Sequence, residues 1–138
     1  MDYNRVRYNS PHRITFIVVV EENLYGRWVF CDPRDAEQIE MHPGIHRRTL
    51  ATTDEVMLCE FFLERHTLVP EHSHMNDQTG YVVFGRLEMT IGGEVRVLKP
   101  GDSYAIPGGV RHSLLALVDT LEISAFSPPR ADYRTEAR

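Results

Sequence analysis

Residues 71–85 read EHSHMNDQTGYVVFG and combine candidate metal ligands with the β-branched and aromatic residues of a strand. His72 and His74 are separated by one residue, and side chains at i and i+2 of a strand project to one face. Both imidazoles can therefore reach the same ion. Gln78 follows the turn-forming residues 75–77, which bring its amide oxygen back toward the same point. This stretch predicts a metal site on a β scaffold.

Residues 101–112 read GDSYAIPGGVRH and supply a fourth candidate ligand, His112. This histidine begins an apolar strand that we expect to line the interior of a barrel. Three imidazoles and one amide predict one divalent transition metal, although the set does not distinguish Zn, Ni, Fe and Mn. Because all four ligands are neutral, the ion would keep its full charge in the site. We therefore expect an anionic small-molecule substrate and Lewis-acid chemistry.

The β pattern extends outward from these two stretches. Residues 47–126 form short β-branched and aromatic runs separated by Gly, Pro, Asn or Asp, which is typical of an antiparallel sandwich or barrel. Gly92 and Gly93 predict a two-residue hairpin turn between alternating strands. Residues 99–102 and 106–109 predict two further turns, because proline fixes φ and glycine permits positive φ. The one helical signal is residues 32–35, DPRD, where a capping Asp precedes Pro.

Three segments are expected along the chain. Residues 1–40 are predicted to be an extension with a β arm, because Ile14 to Val20 is apolar on both faces and must add to the barrel or pair across a dimer. Residues 41–130 are predicted to form the barrel, and residues 131–138 a charged tail. The unpaired arm favours a homodimer.

Composition excludes several classes of function. The chain has 138 residues, 42% of them hydrophobic and 25% charged, as in an ordinary globular domain. Its formal net charge is -5 and its basic residues are scattered, so nucleic acid is not expected as a partner. The longest apolar run, residues 16–20, is too short to cross a membrane. No secretory signal is visible, and a cytoplasmic location is expected. Cys31 and Cys59 are expected to be reduced.

The two motifs resemble those of the cupin superfamily. The first cupin motif is matched by His72, His74, Gln78 and Gly85. The second is matched by Gly101, Pro107, Gly109 and His112. The resemblance covers roughly residues 45–130 and implies an all-β double-stranded β-helix, a jelly-roll-like barrel, with the N-terminal β arm outside it. In the first motif Gln78 stands where Glu is usual, and Ala116 replaces the Asn that ends the second.

A tighter resemblance, to the KdgF-type cupins of pectin and alginate breakdown, rests on residues 86–88, 92–93, 100–104, 106–110 and 126–130. It implies the opening and tautomerisation of a 4,5-unsaturated uronate by an isomerase or lyase type of reaction, with the same His, His, Gln, His ligand set. The aromatic residue of that family falls on Phe126 and its cationic residue on Arg130. Its Asp falls on Ser124, which does not titrate near neutral pH. Glu60 or Tyr104 would compensate if either points inward.

Two other functions are compatible with these residues. Three histidines at Fe(II) leave positions open for dioxygen and a chelating substrate, as in a dioxygenase-type cupin. A non-catalytic metabolite-binding module is the third possibility, and Ser124 in place of an acid is its best support.

Overall fold

The computed structural model describes residues 29–134, which form ten strands and one short helix. The strands are β1 Gln38–His42, β2 Ile45–Thr52, β3 Met57–Leu63, β4 Leu68–His72, β5 Asp77–Phe84, β6 Leu87–Ile91, β7 Glu94–Leu98, β8 Ser103–Ile106, β9 His112–Ala116 and β10 Thr120–Ser127. A 3₁₀ helix, Ala131–Tyr133, follows β10. The expected all-β fold is confirmed, whereas the proposed arm at Ile14 to Val20 lies outside the described residues.

Two antiparallel sheets enclose one core. The larger sheet has the order β1-β2-β3-β10-β5-β8, and the smaller has the order β4-β9-β6-β7. Buried residues from both sheets form a single hydrophobic cluster, with Met57, Phe61 and Phe126 from the larger sheet and Leu87 and Met89 from the smaller one. The alternation of burial along β3 and β10 is the two-residue period of strands with one face on the core.

The inward face of β10 is polar at its centre. Its fully or nearly buried side chains are Thr120, Glu122, Ser124 and Phe126. Charged and hydroxyl groups are seldom buried without partners, because desolvation costs free energy that hydrogen bonds must offset. The centre of this face therefore forms a polar region inside the barrel.

The predicted turns are confirmed. Ile91 pairs with Glu94 across Gly92 and Gly93, whose φ angles of 55° and 87° suit a two-residue hairpin that most side chains would strain. The turn at residues 99–102 is closed by a 2.9 Å hydrogen bond from the amide of Asp102 to the carbonyl oxygen of Lys99.

The helix predicted at residues 32–35 is wrong, since these residues form a turn that leads to β1. The Asp32 carboxylate accepts a hydrogen bond from the Arg34 backbone N–H at 2.9 Å, and the Asp35 N–H donates to the Asp32 carbonyl oxygen at 2.9 Å. The acid that resembled a helix cap thus closes a local turn instead, as Asp side chains commonly do.

The chain after β10 packs back onto the barrel. Tyr133, at the end of the 3₁₀ helix, is buried, and its ring centroid lies 6.1 Å from that of Phe61 and 5.6 Å from that of Phe126. The first residues of the segment predicted as a tail are therefore anchored on the core. Within residues 29–134, no helix has the length and apolar character that crossing a membrane would require.

Candidate metal centre

Three imidazoles converge inside the barrel. The ring centroid of His112 lies 4.2 Å from that of His72 and 5.0 Å from that of His74, and the His72 and His74 centroids are 6.0 Å apart. One nitrogen from each ring lies within 4.8 Å of the other two. These three side chains could hold a metal ion.

Two neighbouring strands of the smaller sheet and a loop bring the histidines together. His72 ends β4 and pairs directly with His112, which begins β9. His74 lies in the loop after β4, not in a strand as the His-x-His spacing suggested. The imidazoles converge nevertheless, because the loop between β4 and β5 directs the His74 ring toward His72 and His112.

Each imidazole is anchored through Nδ1 to a backbone carbonyl oxygen. His72 Nδ1 lies 2.8 Å from the Pro70 oxygen, and His112 Nδ1 lies 2.9 Å from the Val110 oxygen. His74 Nδ1 is bonded in the same way, at 3.0 Å from the oxygen of Asn76. A carbonyl oxygen only accepts, so each Nδ1 carries the proton and each Nε2 keeps a free lone pair. This is the tautomer that allows each histidine to bind a metal ion through Nε2.

Two observations show that the donor set fits a cation. Nε2 of His112 is buried and has no hydrogen-bond partner, which is costly for a polar atom. Nε2 of His74 faces Oε1 of Gln78 at 3.1 Å, and with the proton on Nδ1 both of these atoms are acceptors. A shared cation would satisfy all of these lone pairs, as an imidazole and amide site for a divalent metal does.

The surroundings of His74 and His112 favour their neutral forms. Burial lowers the pKa of His74 below its usual value, and the positive charge of Arg130 lowers it further. Burial also lowers the pKa of His112, with smaller contributions from His72, His74 and Arg130. Neutral imidazoles are the form that binds metal ions.

Contacts between loops hold His74 close to His112. The Gly109 N–H donates to the carbonyl oxygen of His74 at 2.8 Å, and the Gly108 N–H donates to Oδ1 of Asp77 at 2.8 Å. A Cβ at Gly108 would overlap the carbonyl oxygen of Met75. Glycine at position 108 therefore allows the turn at residues 107–109 to lie close to the backbone of the loop that contains His74, which a side chain would prevent.

Gln78 joins the cluster from β5. Its Oε1 faces His74, while its Nε2 lies 3.2 Å from the hydroxyl of Tyr104 and 3.2 Å from Oγ of Ser124. Both amide hydrogens thus have acceptors on the side away from the imidazoles. The amide oxygen is presented to the His74 imidazole.

A buried carboxyl group that the sequence analysis missed lies behind Gln78. Tyr104 points inward, and its hydroxyl lies 2.6 Å from Oε2 of Glu122 and 3.1 Å from Oγ of Ser124. Burial raises the pKa of Glu122 to about 7 and, together with the Glu122 charge, raises that of Tyr104 well above its usual value. The alternation along β10 could have identified Glu122, because it shares a face with Ser124 and Phe126.

Glu60, the other residue considered as a substitute acid, faces away from the site. It is half-buried and pairs with Arg48, whose Nη1 lies 3.0 Å from its Oε1. Neighbouring Cys59 and Phe61 are the residues of β3 that point into the core. Glu60 therefore has no contact with the histidines.

Phe126, Arg130 and Tyr133 form an aromatic and cationic wall beside the histidines. The Phe126 ring centroid lies 5.8 Å from that of His74, and Cζ of Arg130 lies 5.8 Å from the Phe126 centroid and 4.2 Å from that of Tyr133. The chain after β10 is held to the loop that contains His74 by a 2.6 Å hydrogen bond from Nδ2 of Asn76 to the Pro128 oxygen. The structure thus brings Ser124, Phe126 and Arg130 to one region, as the family resemblance implied.

Arg130 is braced by Asp132. Nε and Nη2 of Arg130 donate to the two carboxylate oxygens of Asp132 at 3.0 Å and 2.7 Å. Two of the five guanidinium N–H groups are used in this way, which leaves three for another acceptor. Arg130 can therefore still present a two-pronged edge to an anion.

Two antiparallel sheets around an inward-facing histidine cluster define a cupin. The cupin domain family model matches residues 60–124. Over 96 residues the chain is 34% identical to the pectin degradation protein KdgF of Dickeya dadantii (strain 3937), an alignment that covers 68% of this chain and 87% of that protein. The chain belongs to the KdgF family of cupins.

Solved structures agree with this assignment. KdgF from Halomonas sp. is 35% identical, with a TM-score of 0.73, and the match covers 77% of this chain and 98% of that one. An RmlC-like cupin from Shewanella frigidimarina is 28% identical, also with a TM-score of 0.73, over 76% of this chain and 95% of that one.

Proposed function

We propose that this protein is a metal-dependent enzyme that opens and tautomerises a 4,5-unsaturated uronate from pectin or a related polysaccharide. The observation that carries the proposal is the convergence of three Nε2 lone pairs and the Gln78 oxygen beside a cationic wall. The similarity to KdgF, a pectin degradation protein, supports the substrate class. His72, His74, Gln78 and His112 would hold one divalent metal ion.

Arg130 binds the substrate carboxylate in this proposal. Its free N–H groups form the fork that matches a carboxylate, and Asp132 fixes the plane of the guanidinium. Cζ of Arg130 lies 5.8 Å from the Phe126 ring centroid, which in turn lies 5.8 Å from that of His74, so a carboxylate bound to Arg130 would lie near the imidazoles. Phe126 supplies an apolar surface for the sugar ring.

The reaction is an isomerisation and needs no co-reactant. The C1 hydroxyl loses its proton and O5 gains one as the C1–O5 bond breaks, which gives an aldehyde and an enol. The enol then loses the O5 proton and gains one at C4 as it becomes a ketone. A divalent ion at the histidines would stabilise negative charge on a substrate oxygen. Neutral ligands leave that ion its full charge, which suits this role.

The protons need a carrier near the substrate. Ser124 does not titrate near neutral pH and cannot be that carrier alone. Glu122 is connected to Ser124 through the hydroxyl of Tyr104, and its pKa of about 7 suits proton exchange under neutral conditions. We therefore assign the exchangeable proton to the Glu122 carboxyl group.

The proposal is tested with protein purified without chelator. We expect about one transition metal per chain by elemental analysis and metal-dependent loss of the conjugated absorbance of a 4,5-unsaturated galacturonate. Oxygen uptake with an iron-loaded sample would instead indicate the dioxygenase-type cupin. Stable absorbance in the metal-loaded protein, with neither reaction, would contradict an enzyme and favour the metabolite-binding module.

A further inference from the structure

We propose that Glu122 is a positioning residue that, through the hydroxyl of Tyr104, fixes the Gln78 amide with its oxygen toward the histidines. This inference rests on the metal site proposed above and adds a role for a side chain that contacts none of the metal ligands. Glu122 is 3% exposed, and its carboxylate lies 2.6 Å from the Tyr104 hydroxyl.

The direction of the hydrogen bonds begins at Glu122. In its ionised form the Glu122 carboxylate only accepts, and a distance of 2.6 Å is typical of a hydroxyl that donates to a charged oxygen. Tyr104 has a single hydroxyl proton, so this bond uses it. The two lone pairs of the Tyr104 oxygen are then left to accept from other groups.

The remaining bonds follow from that direction. Since the tyrosine proton is already used, a hydrogen bond between the Tyr104 hydroxyl and Ser124 Oγ, which lie 3.1 Å apart, has Ser124 as its donor. One Gln78 N–H donates to Tyr104 and the other to Ser124, both at 3.2 Å. In this orientation both Gln78 N–H groups have acceptors. A flipped amide would instead place its oxygen against the Tyr104 oxygen, whose proton is already bonded to Glu122.

Three neighbouring strands make this chain possible. Tyr104 lies on β8 and Glu122 on β10, with β5 between them. Gly80 of β5 pairs with both Tyr104 and Ser124, and without a side chain it lets the tyrosine ring reach across the strand. The alternation of β10 then places Glu122 on the inward face.

The same geometry explains why an amide suits position 78. A carboxylate there would place a second negative charge on the hydroxyl that already donates to Glu122, and one proton cannot satisfy both. Gln78 and Glu122 thus form a matched pair. In the usual cupin motif the ligand at this position is a negatively charged Glu. Here the negative charge is on Glu122, which is connected to Gln78 through the Tyr104 hydroxyl.

The test measures the Zn²⁺ dissociation constant of the full chain by competition with a chromophoric chelator. We expect Tyr104→Phe and Glu122→Leu to weaken zinc binding about 10- to 100-fold, the usual effect of removing a partner of a metal ligand. Glu122→Gln should stay within about 3-fold of the unmodified protein, since its amide oxygen still accepts from Tyr104. Glu60→Leu on the adjacent strand is the matched control and should leave affinity unchanged.

A second set of variants, made in a Gln78→Glu background, distinguishes an effect on the orientation of the Gln78 amide from a general loss of structure. In Gln78→Glu the ligand offers oxygen in either orientation, so Tyr104→Phe should no longer weaken zinc binding. Equal weakening in both backgrounds, or unchanged affinity in Tyr104→Phe alone, would overturn the inference. If Glu122→Leu does not fold, the tyrosine variant still decides the question. Failure of the unmodified protein to bind zinc would instead overturn the proposed metal enzyme.

Discussion

The ring of Tyr104 occupies the space that a side chain at Gly80 would fill, since a Cβ built there would overlap two ring atoms and the hydroxyl oxygen. The two residues face each other across β5 and β8. Because the ring is itself buried and its hydroxyl is bonded to β10, it has little freedom to move aside. The absence of a side chain at Gly80 is therefore a condition for the hydrogen-bonded chain behind Gln78.

Gly80→Ala should destabilise the protein by about 1–3 kcal/mol, the usual cost of overpacking a core. Urea unfolding of the metal-free protein measures this change. The matched comparison is the same substitution in a Tyr104→Leu background, where the smaller side chain leaves room for the methyl group. An equal loss of stability in both backgrounds would show that the tyrosine ring is not the obstacle.

His112→Ala should reduce metal content from about one ion per chain to a small fraction, because it removes the only ligand supplied by β9. Excess chelator should lower the Tm of the unmodified protein and leave that of the variant nearly unchanged, since only a bound ligand adds stability by mass action. His42→Ala, on an exposed residue of β1, is the control and should keep both the ion and the chelator response. Full metal content in His112→Ala would refute the site.

Asp77→Ala should weaken metal binding and cost about 1 kcal/mol of stability, because the Gly108 N–H loses its acceptor. Asp77→Asn keeps an oxygen at the same place and should behave like the unmodified protein. Calorimetric titration with Zn²⁺ and urea unfolding give the two readouts. If the alanine and asparagine variants behave alike, the contact between the two loops does not position the histidines.

Glu122 should make stability fall as pH rises. Its pKa in the folded protein, about 7, is above its ordinary value of 4.5, so the folded state holds the proton more tightly. The contribution is complete below pH 4.5 and is lost as pH rises to about 7; at about 1.4 kcal/mol per pKa unit it amounts to about 3 kcal/mol. Urea unfolding of metal-free protein at pH 5 and 7.5 should show this loss in the unmodified protein relative to Glu122→Gln. Identical pH dependence in the two would contradict a raised pKa.

Arg130→Lys should raise KM for an unsaturated uronate about tenfold or more while changing kcat less, because lysine keeps the charge but loses the two-pronged contact. Asp132→Ala should raise KM by a smaller factor, since it only releases the brace on the guanidinium. Steady-state absorbance assays separate the two constants. An unchanged KM in Arg130→Lys would argue against a carboxylate at this residue.

Much of the fold could be predicted from the sequence because its signals are local. Period-two alternation, the Gly92-Gly93 turn and the Pro-Gly turns depend on a few adjacent residues, and the strands lie where these signals place them. The short helix at residues 32–35 failed because the Asp32 side chain can close a turn as well as cap a helix. A helix cap and a turn differ only in the conformation of the residues that follow Asp32, and here those residues lead into β1.

The candidate site could be predicted where its residues belong to motifs with fixed spacing. It was less predictable where the residues that contact one another lie on strands distant in the sequence. His72, His74, Gln78 and His112 belong to recognisable patterns. Glu122 does not, because its importance arises from a contact with Tyr104 eighteen residues away in the chain. Such a contact depends on the order of strands in the sheet, which alternation alone does not specify.

The anchoring of each imidazole to a backbone carbonyl oxygen has a consequence for how this protein can change over evolutionary time. No point mutation deletes a carbonyl group from the main chain, so sequence drift near the three histidines leaves their tautomers intact. Gln78 is held by side chains alone, each of which one nucleotide change can replace. Substitution of neighbouring residues therefore affects the orientation of the Gln78 amide more directly than it affects the tautomers of the three histidines.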